Sequence, residues 1–563
     1  MYHNRLITCI LGLIILLCAP GCQEKKFDSN VELQTLDLLR GDLVLCSGQS
    51  FGEVSFSLSC KYSVQETFNL AVALLHSFQY MEAEKTFVKV LDADPECAMA
   101  YWGVAMSIYH TLWFEPSNKE LEKGSALLDI ASRLSKTEKE EMYLEAMGVF
   151  YKDWDKIDHK TRAISYEKKM EKLYESDKDD SEVAIFYALA LNSTADPKDE
   201  YYTKQKRAGE ILENLFIDQP NHPGIAHYII HNYDNPVLAP KALNTARKYA
   251  EIAPASSHAQ HMPSHIFTRL GLWDESIQSN LKSAESSQCY TQESGIEGAY
   301  FEEVHAIDYL VYAYLQKGDN AKALAYYKHI QDMQKVNPAS INAVVYPFAA
   351  IPARMALENK NWSEAAKVEL HPSDVNWEIF PWQKAILHYA KSLGAAHSGD
   401  FKSATNDIES LKKLRESLLA IGDSYKSNQV LIQITSAQAW LKFEKGSQDE
   451  GLALMREASA LENNTAKHPV TPGEVLPSEE LLGDMLLQMN KPMEALAVYE
   501  SNLNVRPNRF NGIYGAAVAA KNAGNIEKSK SYFERLLKLT ESSQSNRSEI
   551  NEARRFVANS ESL

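Results

Sequence analysis

After its first seventeen residues the sequence has no apolar run near the roughly 20 residues that span a bilayer, so the rest of the chain is expected to be soluble. Basic runs are missing too, and 75 acidic residues against 58 basic ones give a formal net charge of −17. An acidic surface without a basic track repels phosphate backbones, so nucleic acid is not expected as a partner. There is no HExxH segment and no clean Ser/His/Asp arrangement. The sequence therefore names no reaction, and whether the protein is an enzyme stays open. Cysteine is scarce: seven residues, three of which (Cys9, Cys18 and Cys22) fall in the first 22 positions. Cys46 and Cys60 lie close together in a Gly/Ser-rich stretch and are expected to pair in an oxidising compartment. Cys97 and Cys289 read as small buried apolar residues.

What is present begins with an export signal. His3 and Arg5 precede an apolar run from Leu6 to Leu17, followed by Cys18-Ala19-Pro20-Gly21-Cys22. This resembles a bacterial lipoprotein signal, in which residues 1–21 are removed and Cys22 becomes the lipidated N-terminus. The expected location is outside the cytoplasm, anchored to a bacterial cell membrane through that lipid. Residues 22–62 form a polar tether and a small N-terminal segment. Within it Val54-Ser55-Phe56-Ser57-Leu58 alternates in the manner of a short strand or extended stretch.

At 563 residues with 45% hydrophobic content, the chain has the material for several cores or one elongated array. From about Ser63 the apolar period becomes helical, and small residues, an aromatic and a Pro recur at about 34 residues. Ala71, Ala83, Phe87 and Pro95 hold these places in one unit; Gly483, Ala495, Tyr499 and Pro507 hold them in another. Weaker copies lie between them and, at 510–543, after the second, with turn markers such as Lys317-Gly318-Asp319, Ser398-Gly399-Asp400 and Ala523-Gly524-Asn525. One helical hairpin cannot bury its own apolar face, so successive hairpins stack. The expected fold is all-α, a tetratricopeptide-like (TPR-like) solenoid of stacked antiparallel helix pairs. An N-terminal array covers 63–379, a C-terminal array 380–543, and a polar tail 544–563 that frays. Residues 117–219 are helical but off-register, which suggests longer helices.

Seven of the 16 histidines lie between His222 and His305. His227 and His231 are four apart, on one helix face. His258, His261 and His265 follow at offsets of three and four, with Pro263 placing the alignment of His258 in question. Glu302, His305 and Asp308 recur at offsets of three on a third helix. Imidazoles four apart, faced by carboxylates, are how helical bundles hold metals. His227, His231, His261 and His265, with Glu302, His305 or Asp308, are the candidate ligands of a divalent transition metal: zinc, iron or manganese. The alternative is a set of hydrogen-bonded packing or peptide-contacting histidines. His76, Trp102, His110, Trp113 and His468 are candidates for the same concave surface.

Several blocks carry a family likeness: Leu74-Leu-His76-Ser-Phe78, Asp94 through Gly103, the two histidine segments, and His468 through Glu474 on to Phe510. With these the chain resembles a bacterial family of tetratricopeptide-repeat proteins of unassigned function, from about Cys46 to Ala520. The histidine blocks look like a signature within it, and the resemblance implies no substrate. Two functions follow as expectations. The first is a membrane-anchored scaffold that binds a protein or peptide; the second is a metal-binding protein or metal-dependent enzyme built on the histidine cluster.

Overall fold

The computed structural model describes residues 28–46, 50–339 and 341–560. The signal and the lipidation site at Cys22 lie outside the described residues. From Gln65 onward the chain is a succession of antiparallel helix pairs: Gln65–His76 with Tyr80–Ala93, Ala98–Tyr109 with Asn118–Ser132, Glu138–Tyr151 with His159–Ser176, and so on to Phe510–Asn522 with Ile526–Leu539. The stretch expected to be off-register, 117–219, follows the same plan with longer second helices. Among the described residues the only sheet is a two-residue parallel pairing of Ala299–Tyr300 with Val336–Asn337.

Two local rules explain the stacking. Starts are chemically fixed: Ser117 with Glu120 and Thr137 with Glu140 close reciprocal capping boxes. Close approach is provided by a small residue against an aromatic ring. A Cβ added to Gly103 would lie 2.3 Å from the Phe87 ring, and one added to Gly483 would lie 2.5 Å from Tyr499. Ala83, Phe87, Ala495 and Tyr499 are all buried, as the repeat requires.

The apolar side chains separate into two cores, one running from Leu33 to Phe267 and the other from Trp273 to Ala553. They meet at residues 267–273. The second half does not run on as an open stack but curls until its far end touches its beginning. Trp273 Nε1 donates to the Asn508 carbonyl at 2.7 Å, and Arg509 Nη1 donates to Tyr312 Oη at 2.7 Å. Arg509 is fully buried between Glu480 and Glu358, which satisfies its fork from two other helix pairs. Gly271, at φ +65°, lies so close to this contact that a Cβ there would meet the Pro507 carbonyl at 2.3 Å.

Two expectations are corrected, the cysteine pairing and the fraying tail. Cys46 does not pair with Cys60; the bonds are Cys46–Cys289 and Cys60–Cys97. On either side of residues 47–49 the chain is tied to distant parts of the array, Leu39 N donating to Glu84 and Glu53 N to the Asn221 carbonyl, so Cys46 and Cys60 are carried apart. Cys97 caps the Ala98–Tyr109 helix beside the start of the first repeat, and there it meets Cys60. Of the two readings of Val54–Leu58, a short strand or an extended stretch, the strand does not form; Phe56 is buried against Phe68, Trp102 and Tyr143. The C-terminal segment does not fray where it is described: Ser548–Ser560 is a helix whose Ile550 and Ala553 are buried against the preceding pair.

Candidate metal centre

The histidines converge where the two cores meet. His222 caps the Pro223–Tyr233 helix through its side chain, and Pro223 fits the first turn, where no amide donor is needed. Ile225, Ala226, Ile229 and Ile230 bury the helix, which turns His227 and His231 toward the next pair. There the chain makes two short helices, Ser257–His261 and Pro263–Arg269, with Met262 in helical conformation between them. Pro263 supplies no amide proton, and the two pieces part there. His258 and His261 share the first piece but join different trios, and His265 from the second piece joins His261.

Two trios result, the potential ligand atoms within each lying within 4.8 Å of one another: His227, His231 and His258, then His261, His265 and His305. In the first, His227 Nε2 stands 3.0 Å from His231 Nε2 and 3.1 Å from His258 Nε2. In the second, His261 Nε2 and His265 Nε2 are 3.0 Å apart, and the His305 ring centroid lies 4.3 Å from that of His261. The trios adjoin, with centroids 6.4 Å apart for His231–His265 and for His258–His261. His231 and His305 are half-buried and the other four buried, so each trio has one edge open for entry.

The outer nitrogens fix the protons. His227 Nδ1 donates to the His76 carbonyl at 2.6 Å, which leaves its Nε2 as a lone pair. Asn280 Nδ2 donates to the Ser276 carbonyl, so its Oδ1 faces His261 Nδ1 at 2.6 Å and must accept from it. His265 Nδ1 donates to Asp234 Oδ2 at 3.0 Å; burial pushes Asp234 up, but Arg269, Lys467 and His265 together hold it well below the usual carboxylate range, so it is ionised. Both inward nitrogens of the His261–His265 pair are therefore lone pairs, 3.0 Å apart, with no proton between them. Two neutral acceptors at that distance repel unless a cation or a proton lies between. A proton is disfavoured: burial and the neighbouring rings hold His261 well below its ordinary value, and burial also lowers His265. Burial pushes His231 and His305 down to about 3, and lowers His227 and His258 well below the ordinary range.

A third cluster, His76, Glu182 and His222, is chemically different. Glu182 accepts from His76 Nε2 at 2.9 Å and from His222 Nε2 at 3.0 Å. His76 Nδ1 then accepts a hydrogen bond from the Tyr228 hydroxyl, and His222 Nδ1 accepts one from the Ile225 amide. Every ring nitrogen is satisfied without an ion. Although burial pushes Glu182 up, the two histidines hold it at about 2. This network fixes His76, whose carbonyl orients His227.

Of the candidate ligands, His227, His231, His261, His265 and His305 are brought to the site. Glu302 and Asp308 are not. Asp308 is paired with buried Arg354, and Glu302 accepts from Ser257 and, at 3.4 Å, from Gln79. Burial raises Glu302 to about 7. On that helix Tyr309 faces the rings instead, with centroids 4.8 Å from His261 and 5.1 Å from His265. Trp113 and Phe78 wall the first trio, at 5.1 Å from His258 and 4.4 Å from His227. Phe78 sits at φ 55°, a conformation a bulky side chain seldom takes, and it directs the ring at the histidines. Sequence reasoning left out His258, because Pro263 obscured its alignment. Asp234, Asn280 and Tyr309 were also missed, since lone polar residues carry no periodic signal. His110 meets Tyr80 edge-on at 4.8 Å, Trp102 lies in the core, and His468 packs on Trp382 in the second half.

No family model matches the sequence, and no curated protein matches it. Among solved structures the chain is similar to the APC/C hetero-tetramer Cut9–Hcn1, at 11% identity over 88% of this chain and 89% of that one, with a TM-score of 0.32. It is also similar to the human IFIT1 dimer with PPP-AAAA, at 13% identity over 86% and 97%, with a TM-score of 0.34. Likenesses this slight carry no inference about this chain's partners.

Proposed function

We propose that this is an exported metal-binding protein, in which a TPR-like array holds a transition metal through imidazole nitrogens where its two cores meet. One observation carries this reading: His261 and His265 point two lone pairs at each other across 3.0 Å, with their outer protons committed to Asn280 and Asp234. Acceptors that orient the outer ring nitrogen are the usual supports of ligating histidines. Three imidazoles leave a coordination position open, and an ion there acts as a Lewis acid or activates water. The chain's part in such chemistry is to orient the rings, admit a ligand past His231 and His305, and keep the inner nitrogens unprotonated. No carboxylate joins either trio, which disfavours manganese and leaves zinc, iron and copper.

Two disulfides support an oxidising compartment and so the export reading. Anchorage through Cys22 is tested by Cys22→Ala, which should move the protein from membranes to soluble fractions; retention with an intact N-terminus would mean an uncleaved anchor. The interaction-scaffold reading keeps its own support, because stacked helix pairs present long surfaces to peptides. The metal reading is tested on protein purified without a His tag. Metal analysis should find at least one transition-metal ion per chain, and a chelator should lower the melting temperature. Metal-free protein, unmoved in melting temperature by added zinc, iron or copper, would contradict it.

A further inference from the structure

We propose that the two trios hold a pair of copper(I) ions, one in each, side by side in a single chamber. The proposal rests on the metal-centre reading and goes further in ion number and identity.

The ion number follows from geometry. At metal–nitrogen distances of about 2.0–2.1 Å, the nitrogens of one tetrahedral site stand roughly 3.3–3.4 Å apart. The nitrogen separations of 3.0 and 3.1 Å in the first trio and 3.0 Å in the second are close to that edge. A single ion between the trios would have to reach inward nitrogens already gathered into two separate groups. The first trio shares the preparation of the second: His227 Nδ1 is committed to the His76 carbonyl, so its Nε2 presents a lone pair inward. Trp113 and Phe78 close its outer wall with apolar rings.

The identity follows from charge. All six donors are neutral nitrogen, and each carboxylate within reach is engaged elsewhere: Asp234 by His265 and Arg269, Asp308 by Arg354, Glu302 by Ser257. Two divalent ions would place four uncompensated positive charges among buried rings, which a low-dielectric interior resists. Two copper(I) ions place half that charge there. Imidazole nitrogen suits copper, whereas manganese prefers oxygen donors.

The test is an anaerobic titration of untagged, full-length protein with copper(I) against a chromophoric copper(I) chelator, repeated in excess zinc. The proposal expects two copper ions per chain, both retained against zinc. His231→Ala and His305→Ala remove the half-buried ligand of each trio, where folding is least at risk. Each should lower the count from two to one, and the double variant should bring it to zero, with far-ultraviolet circular dichroism unchanged. One copper per chain in the unmodified protein, or displacement of both by zinc, would overturn the copper pair while leaving a metal centre standing. No binding of copper, zinc or iron at all would remove the metal centre with it.

Discussion

Asp234 and Asn280 decide where the protons of the second trio sit, and so what the trio can bind. Asp234→Asn keeps the shape but lets an amide N–H face His265 Nδ1, which moves the ring proton to the inward nitrogen. Metal affinity should then fall about 10–100-fold, while the metal-free protein keeps its fold. An unchanged affinity by competition titration would mean that Asp234 serves only Arg269. The pH dependence has a definite sign. Folded, the six rings titrate below their unfolded value, His231 and His305 at about 3. The unfolded chain therefore binds more protons, and stability is lost as the pH falls from about 6.5 toward 3. Denaturant midpoints of the metal-free protein should drop steadily over that window, and a midpoint flat from pH 7 to 4 would contradict neutral buried rings. At this scale the sequence was informative only in part. Offsets of four revealed His227–His231 and His261–His265. The same counting favoured Asp308, because an offset of three on a helix does not say which of two adjacent residues, Asp308 or Tyr309, meets the neighbouring rings.

Helices were the most legible level. Small residues facing aromatics predicted close approach, and Gly483 beneath Tyr499 has that role. Gly483→Leu should cost about 1–3 kcal/mol by overpacking, measured by chemical denaturation; a neutral result would mean that the Tyr499 ring can move aside. Pro263 divides the histidine segment, but the division falls after His261: His258 and His261 share the first short helix and join different trios, while His265 on the second pairs with His261. The C-terminal helix was obscured by its polar content. Its Ile550, Ala553 and Phe556 recur every three residues, a stripe too short to stand out until Phe533 supplies a partner at 4.9 Å from Phe556.

Across the whole molecule, long-range closure was not legible. Nothing in a 34-residue period says that residues 507–510 return to residues 271–318, because that depends on the accumulated rotation of many repeats. The disulfides failed for a related reason: Cys46 and Cys289 are 243 residues apart, and nothing in the repeat period says that the two segments meet. Non-reducing peptide mapping should recover Cys46–Cys289 and Cys60–Cys97, and Cys289→Ser should lower stability by about 2–4 kcal/mol. A Cys46–Cys60 peptide would place the N-terminal segment elsewhere. The site depends on this scale, since His305 and Tyr309 come from the second core and the other five ligands from the first.

The account's central claim is that inward imidazole nitrogens meet at a metal. X-ray absorption spectroscopy of the metal-loaded, untagged protein tests it most directly. The prediction is a first shell of nitrogen at about 2.0–2.1 Å, with the outer scattering of several imidazole rings, and loss of that scattering when His227 and His231 of the first trio are replaced by alanine together with His261 and His265 of the second. A shell of oxygen alone, or a spectrum unchanged by that replacement, would contradict it.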